Sequence, residues 1–405
     1  MSSRQRIALL TVLATLFAAL VAVLAAQTEA RPTAEARPSA EARPSAPAQG
    51  ASRAILKGIY DETQTLYGNP DRVFPMLAQL RTRAIRMNLY WGGQFGVASR
   101  RPANPTNPND PAYDWGLYDR AVHYASQYGI RVVFSIYGTP GWANRFRGIR
   151  FAPTRMADLQ RFATAAARRY GGNGISDDGR GIPRVNYWLA WNEPNNPAFL
   201  LPQYRIVRGR AVIASGRTYA QMCNAVVRGI KSVRIRSMKV GCGVTAPRGN
   251  NNPRTLRPSV SPLPFVRAMR AGGARGFDAY AHHPYYGHRT ETPRSRPRTR
   301  NAIVLGNIGV LDREIRRRFG TKRLWITEYG YQTAPERVAG FRVTRAQQAR
   351  YMAQAYAIAR RHPRIDMFLW FMLRDDRNLS RGWQSGLLTA SGARKPAFNT
   401  FRALR

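Results

Sequence analysis

Residues 185–195 read VNYWLAWNEPN. A single acid, Glu193, stands between an amide and a helix-breaking proline. It comes directly after the apolar run Tyr187, Trp188, Leu189, Ala190. A second acid closes a similar run 135 residues later, Glu328 in WITEYG (325–330). What the two acids do depends on whether the fold brings those two run ends together.

From Ala54 onward one pattern recurs: a short β-rich run, a loop, then a helical run. The runs are Ala54–Tyr60, Ala84–Trp91, Arg131–Tyr137, Val185–Asn192, Met238–Val244, Phe277–His283, Arg323–Glu328 and Asp366–Met372. Strands alternating with helices imply parallel pairing through crossovers. Eight such units close a (β/α)8 TIM barrel, here one catalytic domain over 54–405. A doubly wound open sheet competes, but no GxGxxG joins a first strand to a helix. The helical runs carry end signals. Residues 155–170 are Ala-rich, with basic residues in the last turn and Gly171 and Gly172 after it. Thr344 and Gln347 form a capping box ahead of the helix that follows them. A helix is also expected near Thr218–Val233, and Gly320 stops another.

In such a barrel, functional groups sit at the carboxyl ends of strands. Glu193 and Glu328 would then face one mouth. Either acid alone reads as a strand-end cap or an arginine partner. Two of them, each set among aromatic residues at a strand end, read as a pair that carries chemistry. Trp91, Trp142, Trp191 and Trp370 fall at or just past strand ends. They suggest an aromatic-lined cleft.

AWNEPN and WITEYGY resemble the acid/base and nucleophile motifs of clan A retaining glycoside hydrolases, of the cellulase-like family 5 and family 39 types. The segment GLLTASGARKPAF (386–398) resembles the tail of such enzymes. The resemblance spans 54–405. It implies Glu193 as general acid/base, Glu328 as nucleophile, and Asn192 as holder of the sugar 2-hydroxyl. It further implies that Arg86 in IRMNLYW steadies the nucleophile, that His283 and Tyr285 in HHPY support it, and that Trp370 lies under the reacting sugar. Asp375 and Asp376 follow as substrate-binding or loop-capping acids. The implied reaction is hydrolysis of β-glycosidic bonds in a polysaccharide or glycoconjugate by double displacement. Long loops after the third to sixth strands suggest endo action. The scheme needs no cofactor and no metal, and the chain is expected to be a monomer. The rival from another class is a non-catalytic cell-surface glycan-binding protein on a glycosidase-like barrel.

The 405 residues carry a formal charge of +42 from 64 basic and 22 acidic residues. Nucleic acid is the usual partner of such a charge. However, only five of the basic residues are Lys, no reading helix or RNP-like strand occurs, and the N-terminus is an export address. An anionic glycan, or a merely solvated cationic surface, accounts for the charge better. Loop 288–300, HRTETPRSRPRTR, could grip carboxylates, though 316–323 and 360–364 at the opposite end are also Arg-rich. Arg4 and Arg6 precede an apolar run from Ile7 to Leu24, so residues 1–26 read as a signal peptide or an uncleaved membrane anchor. Either way the chain is expected outside the cytoplasm. Residues 27–53 hold the repeats EARPTA, EARPSA, EARPSA and read as a linker. Cys223 and Cys242 fall on neighbouring elements. A disulfide is permitted outside the cytoplasm, and two buried free thiols are the expectation. His282–His283 has no partner at metal-ligand spacing.

Overall fold

The computed structural model describes residues 54–334, 341–378 and 382–405. The N-terminal address and the repeat linker, 1–53, lie outside them. Eight parallel strands close a barrel: β1 (Leu56–Tyr60), β2 (Ala84–Tyr90), β3 (Arg131–Tyr137), β4 (Tyr187–Ala190), β7 (Lys239–Thr245), β8 (Ala279–His282), β9 (Arg323–Tyr329) and β10 (Ile365–Phe371). All eight expected strands form, the fourth and the sixth shortened at both ends. Two further strands, β5 (Tyr204–Val207) and β6 (Arg210–Ile213), make an antiparallel hairpin in the connection after β4. Arg208 (φ 49°) and Gly209 (φ 73°) turn it. Positive φ at both central residues is what a two-residue hairpin loop requires.

The barrel interior is a small plug made by alternate residues. Ala84, Val133, Leu189, Val244, Ala279, Ala281, Trp325, Met367 and Leu369 point inward. Their neighbours, such as Ile85, Phe134, Trp188, Ile326 and Phe368, point outward and form the main core with the helices. This period of two fixes which side chains can reach the mouth.

The outer helices follow their signals. The helix Met156–Arg169 ends on Arg168 and Arg169. It packs against the helix Ser215–Lys231 so tightly that a Cβ on Gly229 would lie 2.5 Å from Ala163. The capping box at Thr344 and Gln347 forms and opens the helix Arg345–Arg361. Cys223, on Ser215–Lys231, and Cys242, on β7, are joined in a disulfide with Cα atoms 6.0 Å apart. This corrects the expectation of free thiols: adjacent layers of the barrel bring the two residues within bridging distance.

Candidate active site

Two local irregularities aim the acids. Along β9, Trp325 points inward and Ile326 outward, an alternation that would turn Glu328 towards the helices. The pairing with β10 instead steps from Ile326↔Phe368 to Tyr329↔Trp370, which places one extra residue on β9. This bulge reverses the alternation, so Tyr329 joins the outer core and Glu328 faces the mouth. After β4, Trp191 (φ 71°) and Glu193 (φ 36°) both take left-handed backbone around Asn192. The Glu193 amide donates to the Val244 carbonyl on the neighbouring strand β7, 2.9 Å away. Pro194 follows and prevents the chain from continuing in the ladder.

The result is a buried constellation. One oxygen each from Glu193 and Glu328, with a His283 nitrogen, lie within 4.8 Å of one another. Arg86 Nη1 donates to Glu328 Oε1 at 2.7 Å, and Nη2 donates to Asn192 Oδ1 at 2.6 Å. The Tyr285 hydroxyl donates to Glu328 Oε2 at 3.0 Å. His283 Nδ1 lies 2.9 Å from Glu193 Oε1, and Asn196 Nδ2 donates to Oε2 at 3.1 Å. His283 Nε2 lies 3.1 Å from Arg86 Nη1, which can only donate, and 3.0 Å from the Thr327 hydroxyl. His282 points the other way, to Thr245 and the Ile303 carbonyl.

Electrostatics separate the two acids. Burial, and then the charge of Glu328, push Glu193 up to about 8. Burial also raises Glu328. The Arg86 charge and the donors from Tyr285 and Arg86 oppose that rise and favour its ionised form. Burial and the neighbouring Arg86 hold His283 well below the usual imidazole value, so it is neutral. The three groups Glu193, His283 and Glu328 could in principle cup a metal ion. Arg86 already places a cation against Glu328 and His283, and the donor set suits an ion-paired carboxylate dyad better.

Of the sequence-derived residues, Arg86, Asn192, Glu193, His283, Tyr285 and Glu328 come together. The tryptophans do not. Trp370 alternates outward, and its Nε1 donates to the Ser385 carbonyl. Trp91 is buried against Phe162, with ring centroids 5.7 Å apart. Trp191 packs on Tyr137. Trp142 is half-buried and lines a separate hollow with Arg101 and Asp158. The aromatic wall is made instead by Tyr60, Tyr285, Phe371 and Trp383. Trp383 borders both cavities at the mouth. One, about 30 Å³, touches Glu193, Asn196 and Arg248. The other, about 510 Å³, is lined by Tyr60, Glu62, Phe371, Arg374 and Asp376 among others. A larger hollow of about 750 Å³ lies at the far end of the barrel and touches none of these carboxylates.

Sequence reasoning passed over Glu62. It follows β1 in IYDE, and the strand-end rule that singles out Glu193 applies to it equally. It accepts from the hydroxyls of Tyr60 and Tyr90 and from the Asn88 amide. Burial lifts it to about 7. Tyr60 in turn carries the Arg86 guanidinium over its ring at 4.4 Å.

The fold and the site define a class: a closed (β/α)8 barrel with a buried carboxylate pair at its carboxyl-terminal mouth. Solved structures of that architecture resemble this chain. A family 39 glycoside hydrolase from Bacteroides cellulosilyticus WH2 superposes with a TM-score of 0.59 at 18% identity, over 87% of this chain and 63% of that one. A glucosidase from Croceicoccus marinus gives 0.59 at 14% identity, over 87% and 68%. A family 39 β-xylosidase from Caulobacter crescentus gives 0.56 at 16%, over 87% and 71%. The chain therefore spans less than two thirds of the length of the first of these. At such identities the likeness is one of fold. No protein-family model matches the sequence, and no match was found among curated proteins.

Proposed function

We propose that this protein is a retaining β-glycosidase that cleaves a polysaccharide or glycoconjugate by double displacement. The observation that carries the reading is the carboxylate pair. An oxygen of each carboxyl within 4.8 Å of the other suits the short separation of retaining enzymes, about 5–5.5 Å, better than the wider one of inverting enzymes.

Glu328, kept anionic by Arg86 and Tyr285, attacks the anomeric carbon. Glu193, protonated at neutral pH, gives its proton to the departing glycosidic oxygen as that bond breaks. The glycosyl ester formed on Glu328 has no negative charge, so Glu193 loses the repulsion that helped hold its proton. Glu193 then takes a proton from water as the water oxygen attacks the same carbon and the Glu328 carboxylate leaves. His283 and Asn196 fix the Glu193 carboxyl through both oxygens. Asn192, itself held by Arg86, is placed to meet the sugar 2-hydroxyl.

The 510 Å³ cavity meets the site at Tyr60, Phe371 and Trp383 and is lined by neither catalytic glutamate, so it suits a sugar unit next to the reacting one. Its lining holds Asp61, Glu62, Asp375 and Asp376 against Arg374 and Arg377. That reverses the balance of 59 basic to 19 acidic residues after residue 50, so a neutral sugar suits it better than a uronate. The hairpin and long loops around the mouth favour endo action. The disulfide supports an extracytoplasmic setting.

The test is reducing-sugar release from neutral, uronate-bearing and aminated polysaccharides, comparing wild type with Glu193→Gln and Glu328→Gln. Release by wild type alone supports the reading. Binding by all three proteins without release from any polymer transfers it to a glycan-binding protein on the same barrel.

A further inference from the structure

Six large hydrophobic side chains are exposed among the described residues: Tyr128, Phe146, Ile175, Ile206, Val207 and Leu256. Scattered singly, such residues need no explanation. Four of the six, however, stand on three loops at the barrel mouth. Phe146 (84% exposed) is in the connection after β3. Ile206 (70%) and Val207 are at the end of the β5–β6 hairpin, and Leu256 (103%) is in the loop after β7.

These loops are neighbours. Leu201 N donates to Arg150 O, tying the β3 connection to the segment before the hairpin. Val260 N donates to Asn195 O and the Tyr204 hydroxyl to Ser259 O, tying that segment and the hairpin to the β7 loop.

Each tip is flanked by arginine in sequence: Arg145-Phe146-Arg147, Arg205-Ile206-Val207-Arg208, and Arg254-Thr255-Leu256-Arg257. Residues 139–155, 194–214 and 246–261 contain no Asp or Glu. The arrangement is therefore one-sided: exposed apolar side chains at the loop tips, in a field of cations, with no acid in the three loops. A soluble polyanion would need the cations but not the aliphatic tips. Tips that insert between acyl chains while arginines meet phosphates match an anionic lipid surface.

We propose that the mouth of the barrel docks onto an anionic membrane surface through Phe146, Ile206, Val207 and Leu256, so that the site opens towards membrane-attached glycans. The contact is made by loop tips alone and is therefore peripheral, and no described helix is long and apolar enough to cross a membrane. It is separate from any contribution of residues 7–24.

The test places an environment-sensitive fluorophore on the full chain at Leu256→Cys, with Tyr128→Cys as control away from the mouth. The native cysteines are in the disulfide and leave the new thiol to the label. Vesicles of phosphatidylglycerol with brominated acyl chains should quench and blue-shift the Leu256 probe and leave the Tyr128 probe unchanged. Vesicles of brominated phosphatidylcholine alone should do neither. Removing Arg208 and Arg254 together (both to Gln) should weaken the response roughly 30-fold in lipid concentration, at about one kcal/mol per arginine near the surface. An unquenched Leu256 probe on the anionic vesicles overturns the proposal. So does capture of soluble polyuronate without quenching, which would make these arginines a glycan site.

Discussion

Glu193 and Glu328 differ in their partners more than in their burial, and each difference has a measurable consequence. Glu193→Gln should cost about 10²–10⁴ in kcat on substrates with poor leaving groups, and much less on aryl glycosides whose leaving group needs no proton. The alkaline limb of kcat/KM should fall near pH 8, where Glu193 loses its proton in the free protein, and should vanish in Glu193→Gln. Tyr285→Phe removes a donor to the ionised form of Glu328. The pKa of Glu328 then rises, and the acid limb should move towards neutrality and narrow the bell. Trp383→Ala should lower kcat/KM by roughly tenfold, whereas Trp370→Phe should alter stability and spare kcat/KM. The two acids were legible in the sequence because they sit at strand ends among aromatic residues, whereas Arg86, inside β2, and Tyr285, beyond β8, were legible only through the family resemblance. The tryptophans were not. Which face a strand residue takes depends on register: Met367 and Leu369 point inward along β10, so Trp370 turns outward and Phe371 is left at the mouth.

Elements were easier to read in kind than in detail. The eight barrel strands and the capping box at Thr344 follow from local chemistry alone. Thr344→Ala should cost about 1 kcal/mol, seen as a lower denaturant midpoint with unchanged slope. The β9 bulge and the left-handed residues around Asn192 have no sequence signature, because they are set by pairing with strands far along the chain. The β5–β6 hairpin also escapes, since its turn is Arg208-Gly209 and not an Asn-Gly or Asp-Gly pair. The disulfide runs against the expectation of free thiols because two cysteines 19 residues apart in sequence fix no distance. Cys223→Ser with Cys242→Ser should remove about 3 kcal/mol, the chain-entropy value for a loop of that size, and oxidant should not restore it.

At the scale of the whole molecule, burying carboxylates for function opposes stability. Glu62 rises from 4.5 when unfolded to about 7 in the fold. The native state therefore binds the proton more tightly. The associated stability is complete below the unfolded value and is lost as pH climbs through the folded one. The loss amounts to about 3 kcal/mol for Glu62. Tm should accordingly fall between about pH 5 and pH 8, and Glu62→Gln should flatten that fall. Net charge misleads at this scale. The sequence total points to an anionic ligand everywhere, while folding gathers acids around the 510 Å³ cavity, and the three mouth loops hold none. The central claim, a covalent intermediate on Glu328, is tested most directly by intact mass. Wild-type protein is incubated with a panel of 2-deoxy-2-fluoro-β-glycosyl fluorides and then peptide-mapped. The account predicts a mass increase of one fluoroglycosyl unit, carried by the peptide containing Glu328 and absent in Glu328→Gln. An adduct on another residue, or saturable binding of these sugars with no adduct from any of them, would contradict it.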